Sequence, residues 1–280
     1  MEALINKIIV PSFVDGPGSR MAVFLQGCNF NCIYCHNPET KQICNNCGVC
    51  VSCCPSGALT FFENKVQYNE TICINCNKCI FSCPSSSSPK TVNYTIEDLL
   101  VKVEENLDFI DGITFSGGEC TLQSDFIAEF SRKAKDLYNL GTFIDTNGFI
   151  DSISMNQMLP FIDGYMIDLK AFTSEVHLKI TAQNNIQVFK SIYATSEAVK
   201  LYEIRLVLLE DINDSVEQLN EYFLFVKNLN DYTNLKLIPF NPVGVRGDYS
   251  GTPRYSIDKY MYIIALGKKI LGDRIIQVRL

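Results

Sequence analysis

Thirteen cysteines occur in this chain of 280 residues, twelve of them between Cys28 and Cys83, and they set the chemistry the sequence can do. In a reducing compartment such crowding argues for metal ligation over disulfides. Three lie on one short loop, "CNFNCIYCHNP" (28–38): Cys28, Cys32 and Cys35 fall within eight positions, and no fourth cysteine completes the set. Three thiolates can hold three irons of a cubane and leave the fourth iron without a protein ligand, as catalytic zinc sites keep one position open for a reactant. The open iron is then where a substrate binds.

A second cysteine system follows at once. Cys44, Cys47, Cys50 and Cys54 recur as Cys73, Cys76, Cys79 and Cys83, each 29 residues on and each run followed by proline. This C-x2-C-x2-C-x3-C-P spacing is the bacterial ferredoxin pattern, in which the fourth cysteine of one run crosses to the other cluster. Cys44, Cys47, Cys50 and Cys83 are therefore assigned to one [4Fe-4S] cluster, and Cys73, Cys76, Cys79 and Cys54 to its partner. Structural zinc more often uses two separated C-x2-C pairs. Cys53 is left over as a small spacer, able to replace Cys54 only if the loop shifts. Residues 44–87 are poor in large aliphatics and end in a Ser/Pro linker, so they read as an inserted small domain that needs an inorganic core. The remainder, 1–43 and 88–280, forms the main domain.

The elements that position these groups are legible as alternating strands and helices. Near-continuous apolar runs at 21–26, 112–117, 141–146, 164–170, 202–209 and 235–240 read as strands buried on both faces. Amphipathic stretches lie between them: one opens at Thr95 with Asp98 three residues on, and others run over 124–139, 214–230 and 256–271. This alternation predicts an α/β fold with a parallel sheet. The unusual residues collect at the carboxyl ends of the strands: the cysteine loop, "SGGE" (116–119), "DTNG" (145–148) and "DLK" (168–170). Loops that converge there form one site in barrels, so a partial (β/α)6 barrel is expected.

With these motifs in place, the chain resembles the radical S-adenosylmethionine enzymes, through C-x3-C-x2-C with Tyr34 just before the last cysteine. "VDGPGSR" (14–20), "QGCNFNCIYCHNP", "SGGE", "DTNG" and "DLK" together are similar to the glycyl radical enzyme activating enzymes, nearest to the branch called YjjW, and the likeness runs through essentially the whole chain outside the insertion. The resemblance implies a partial (β/α)6 barrel of the radical SAM type with an inserted ferredoxin-like domain. It implies three [4Fe-4S] clusters in all and S-adenosylmethionine chelated through its methionine end at the catalytic centre of Cys28, Cys32 and Cys35. Tyr34 would lie near the adenine; Gly117 and Gly118 would let backbone approach the cofactor, and Glu119 would accept from its ammonium. Asp145, Thr146, Met166 and Asp168 would surround a monovalent cation, with Lys170 and Arg205 adding positive charge near the cofactor. Asp15 and Gly16 would hold the incoming glycine loop of a partner glycyl radical enzyme, with a flavodoxin or ferredoxin-type protein as electron donor.

Two departures stand out. Cys120 follows "GGE" where proline is common, and reads as a small buried residue because the clusters are accounted for. Asn241, in "PFNPVG" (239–244), stands where some relatives carry histidine, so no histidine acts from that position. Of the two histidines, His36 is expected beside the cluster and His177 at the surface.

Composition narrows the field further. A net charge of -7 and a pI near 5.0 give no basic stripe for nucleic acid. A mean hydropathy of +0.07 fits a soluble globular protein, with no run long enough for a membrane span and no signal peptide in the first residues, hence a cytoplasmic one. The residues also admit two other readings. A radical enzyme acting on another peptide or small molecule would turn over without a partner protein. A non-enzymatic electron carrier would bind iron without cleaving S-adenosylmethionine.

Overall fold

The computed structural model describes residues 1–278. The chain divides into two compact units, Met1–Asn29 with Asn37–Leu140, and Phe30–His36 with Gly141–Leu280. Among the described residues no helix is long and apolar enough to cross a membrane.

The first unit contains β1 (Glu2–Ser12), β2 (Arg20–Leu25), β3 (Leu59–Phe62), β4 (Lys65–Tyr68), α1 (Lys78–Phe81), β5 (Val92–Thr95), α2 (Ile96–Glu104), β6 (Gly112–Gly117) and α3 (Ser124–Tyr138). Its main strands run in the order β5, β1, β2, β6, with β2 and β6 parallel and the other pairs antiparallel. Strands β2 and β6 are buried along nearly their whole length, as their continuous apolar sequences require. Phe115 of β6 meets Phe130 of α3 edge-on at 5.3 Å, which seats the helix on the sheet. Strand β1, with its alternating exposure, was not legible as a run: only one of its faces is covered. Helix α2 starts with a full capping box, the Thr95 hydroxyl taking the Asp98 amide and the Asp98 carboxylate taking the Thr95 amide.

The second unit contains β7 (Gly141–Thr146), α4 (Ser152–Met158), β8 (Gly164–Asp168), α5 (Ser174–Thr181), α6 (Ile186–Glu197), β9 (Leu201–Leu208), α7 (Val216–Leu229), β10 (Asn234–Pro239), α8 (Ile257–Leu271) and β11 (Ile275–Gln277). The strands lie side by side in sequence order, all parallel. Each expected strand forms within a residue or two of its apolar run. Parallel strands need covered faces, and Tyr165, Ile167, Tyr222 and Phe223 are fully buried here. The polar motifs "DTNG" and "DLK" begin where β7 and β8 end.

Candidate active site

In the first unit the backbone is clamped around the start of the cysteine loop. The Gly27 amide donates to Thr40 O at 2.8 Å and the Cys28 amide to Lys41 O at 2.9 Å. The turn after β6 docks on the same stretch: the Gly118 amide reaches Leu25 O at 3.0 Å, and that of Glu119 reaches Gly27 O at 2.7 Å. This packing explains the glycines. A Cβ on Gly118 would stand 2.2 Å from Gly27 O and 2.6 Å from Thr40 O, while Gly117 has φ +127° and leaves no room beside Leu25. Glu119 is buried, and its Oε1 accepts from the Thr121 amide at 3.1 Å and the Thr121 hydroxyl at 2.6 Å. Gln26 heads the stretch "QGCNFNCIYCHNP", and its amide donates to Glu39 O and Gln42 O at 2.8 and 2.6 Å and ties down the return of the loop. Cys120 is fully buried, its thiol 3.5 Å from Phe115 O, as a small core residue would be. Asp15 is held by the Ser12 hydroxyl at 2.5 Å, and its own carbonyl accepts from Thr114 at 2.6 Å. Gly16, beside it, has φ +128°.

The second unit holds the rest of the loop. The Asn31 and Ile33 amides donate to Thr181 O and Ile180 O at 2.9 and 3.0 Å. Tyr34 is buried, with no hydrogen-bond partner for its hydroxyl, and Lys170 Nζ sits 5.7 Å from its ring centroid. Burial pushes the Tyr34 phenol up, partly offset by Lys170. Lys170 itself donates to Asp168 Oδ2 at 2.8 Å; burial alone would lower its pKa, but Asp168, joined by Tyr34 and Cys32, outweighs burial and raises it. Arg205 binds Asp145 at 2.8 Å and Glu203 at 2.6 Å, and reaches Met166 Sδ at 2.9 Å; the two carboxylates outweigh burial and raise its pKa. Thr146 Oγ1 accepts from the Gly148 amide at 3.0 Å. Thus Asp145, Met166 and Arg205 are brought together, as are Tyr34, Asp168 and Lys170. Glu203, inside β9, stands two residues before Arg205 and therefore on the same face of the strand. His36 Nε2 donates to Asn241 O at 2.7 Å, so Asn241 meets the loop through backbone.

One expectation is corrected. His177 is not at the surface but has no exposed area at all. It shares the buried stripe of α5 with Ile180 and Thr181, at i+3 and i+4.

Residues 44–87 keep their internal repeat in three dimensions. Asn46 and Asn75, 29 residues apart, both have positive φ, and so do Gly48 and Asn77. Cys54, Cys73, Cys76 and Cys79 line one cavity; Cys44, Cys47, Cys50 and Cys83 line a second. Burial pushes the Cys50 thiol up to about 11, helped by Cys44 and Cys79. Among the described residues no three such side chains gather tightly enough for a single metal ion. A cubane does not ask for that, since each of its ligands binds a different iron.

Residues 22–223 match the Radical SAM superfamily, which defines the class of this site. The chain is 31% identical over 265 residues to the choline trimethylamine-lyase activating enzyme of Oleidesulfovibrio alaskensis, covering 87% of this chain and 85% of that one. It is 32% identical over 262 residues to the trans-4-hydroxy-L-proline dehydratase activating enzyme of Clostridioides difficile, covering 87% and 86%. The fold is similar to that of QueE from Escherichia coli, with a TM-score of 0.60 at 14% identity over 100% of this chain and 95% of that one. The chain therefore belongs to the radical SAM superfamily, among its glycyl radical enzyme activating enzymes. It has the α/β fold of that superfamily, with a mostly parallel sheet, and membership implies a [4Fe-4S] cluster and S-adenosylmethionine.

Proposed function

We propose that this protein activates a partner glycyl radical enzyme, with electrons entering through two ferredoxin-type clusters in residues 44–87. The observation that carries the activating role is the likeness to such enzymes along 87% of the chain. When bound, the cluster supplies the electron that cleaves S-adenosylmethionine to methionine and a 5'-deoxyadenosyl radical, which takes a hydrogen from the partner's glycine α-carbon.

This chain's own residues bind, orient and shield. Cys28, Cys32 and Cys35 hold the cluster by three thiolates. Gly117 and Gly118 let the turn after β6 pack against the Leu25–Gly27 backbone, Glu119 offers a buried carboxylate to an ammonium, and Tyr34 offers a buried wall. Lys170 and Arg205 stand against Asp168 and Asp145 as their charge partners, each at 2.8 Å. A monovalent cation at Asp145, Thr146, Met166 and Asp168 would share those carboxylates with Lys170 and Arg205. Asp15 and Gly16, in a loop fixed by Ser12 and Thr114, receive the glycine segment of the partner.

The two further clusters are supported by the cavities described above, each lined by four cysteines in the crossed set that the repeat requires. We read 44–87 accordingly as a small ferredoxin-like domain inserted between 1–43 and 88–280 of a partial (β/α)6 barrel. The YjjW branch, a flavodoxin or ferredoxin-type donor and a cytoplasmic location complete the reading, the last because so many free thiols need a reducing compartment. The test is anaerobic reconstitution followed by reduction, S-adenosylmethionine and a candidate partner. About twelve irons per chain and a glycyl radical signal on the partner are expected; iron without S-adenosylmethionine cleavage would overturn the reading.

A further inference from the structure

We propose that His177 is a positioning residue for the cysteine loop, acting by aiming two helix carbonyls at the amides on either side of Cys32. The assignment rests on the reading of Cys28, Cys32 and Cys35 as cluster ligands.

The last carbonyls of a helix have no partner within it. In α5 two of them, Ile180 O and Thr181 O, are taken by the Ile33 and Asn31 amides at 3.0 and 2.9 Å. Those amides bracket Cys32 in the chain, so the end of α5 fixes the backbone that carries its sulfur. For both carbonyls to face the loop, the chain must leave the helix sharply, and it does so through Ala182 at φ +64°, a left-handed conformation that a residue with a Cβ adopts at a cost.

His177 holds that exit. Its Nδ1 lies 2.7 Å from Gln183 O, the first carbonyl beyond the turn. A carbonyl oxygen only accepts, so Nδ1 carries the proton and Nε2 is the bare nitrogen. Thr181 reinforces the tie: its hydroxyl donates to His177 O at 2.8 Å or Gln183 O at 3.0 Å, and accepts from the Gln183 amide at 3.1 Å. The same imidazole packs edge-on against Phe30 at 5.5 Å, so it touches the loop directly as well as through the helix end. Phe30 in turn meets Phe149 at 5.8 Å.

Stability alone does not call for a histidine here. The side chain is fully buried and Nε2 has no hydrogen-bond partner, a cost that an apolar ring of similar size would avoid. What the imidazole adds over an apolar ring at this position is the Nδ1 proton on Gln183; the face it offers Phe30 is one that phenylalanine would also give.

The test uses the full chain, reconstituted anaerobically, as wild type, His177→Phe and His177→Asn. Phenylalanine keeps a buried ring but donates nothing; the asparagine amide places a donor close to where Nδ1 stands. Two readouts are followed: hydrogen exchange at the Asn31 and Ile33 amides, and the difference in the electron paramagnetic resonance spectrum of the reduced protein with and without S-adenosylmethionine, which isolates the cluster on this loop. In His177→Phe exchange at both amides should rise about tenfold, the worth of one net hydrogen bond, and the difference spectrum should broaden or shrink; His177→Asn should restore both. Wild-type exchange at Asn31 and Ile33 in His177→Phe would overturn the proposal, and so would His177→Asn exchanging as fast as His177→Phe. If His177→Phe does not accumulate, His177→Asn decides alone, since tenfold faster exchange in it contradicts the assignment and wild-type exchange supports it. The exchange readout needs no turnover. A missing S-adenosylmethionine response in the wild type would count against the cluster reading and leave the exchange result to decide on His177.

Discussion

Cys53 Sγ lies 3.1 Å from Ser82 Oγ, and the two positions are 29 residues apart, the same offset that relates the two cysteine runs. Each also meets the carbonyl three residues before it, Cys53 that of Cys50 at 3.0 Å and Ser82 that of Cys79 at 3.3 Å. Cys53 thus occupies the place that serine takes in the other half, a hydrogen-bonding link where the halves meet. Neither four-cysteine cavity includes it. Cys53→Ser should therefore keep the wild-type iron content after anaerobic reconstitution, while Cys54→Ser should lose about four irons, one cubane. Iron analysis of the two variants side by side checks this; a loss in Cys53→Ser would make Cys53 a ligand.

Gly118 separates packing from chemistry. Its hydrogen faces two backbone carbonyls, neither of which can move aside as a flexible side chain could. Gly118→Ala should lower stability by about 3 kcal/mol, the upper range for overpacking, as measured by urea unfolding. A change below about 1 kcal/mol would mean that the Leu25–Thr40 stretch yields more readily than its hydrogen bonds suggest.

Arg205 neutralises two carboxylates at once, with Glu203 side-chain exposure at 4% and that of Asp145 at 17%. Removing the cation leaves both without it in a desolvated place, although Lys236 at 3.8 Å still offsets Glu203 in part. Arg205→Leu should cost about 3–5 kcal/mol. Adding Asp145→Leu to it should recover part of that loss, a coupling that a double-mutant cycle measures directly. Additive losses would show that the pair does not act as a unit.

Acid should weaken the fold through His177. Burial holds its pKa below the usual imidazole value, reinforced by Lys170 and opposed by the Gln183 contact. The unfolded chain then binds a proton below about pH 6.5 that the folded one refuses, so this contribution is intact above that pH and is lost as the pH falls. His177→Phe should show a shallower decline in unfolding free energy between about pH 7 and pH 5. An unchanged slope would place the acid sensitivity elsewhere.

How far the sequence carries the structure depends on which physical signal each element leaves. Strands such as β2 and β6 are buried on both faces and announce themselves as apolar runs, and the Thr95–Asp98 capping box marks the start of α2. Strand β1 buries one face and carries Asn6 and Lys7 among its apolar residues, while β5 and β11 are only four and three residues long. Such strands are defined by their partners, which no local pattern names. The crossed cysteine sets are expected from spacing alone, and the same two sets of four line the two cavities of residues 44–87. His177 was misplaced because a polar residue reads as exposed unless its helical stripe is weighed with it: Ile180 and Thr181 were the available signal. The Glu203–Arg205 pair was open to the strand period, being two residues apart on one face, whereas the role of Gln26 was not, since the carbonyls it binds, of Glu39 and Gln42, are fixed by the return of the loop.

The most direct test of the central claim follows one hydrogen. The reduced, reconstituted protein is mixed under anaerobic conditions with S-adenosylmethionine and a glycyl radical enzyme whose glycines carry deuterium at the α-carbon, and 5'-deoxyadenosine is examined by mass spectrometry. Deuterium in 5'-deoxyadenosine, formed only when the partner is present, is the result this account predicts. Unlabelled 5'-deoxyadenosine formed equally well without any partner would contradict it.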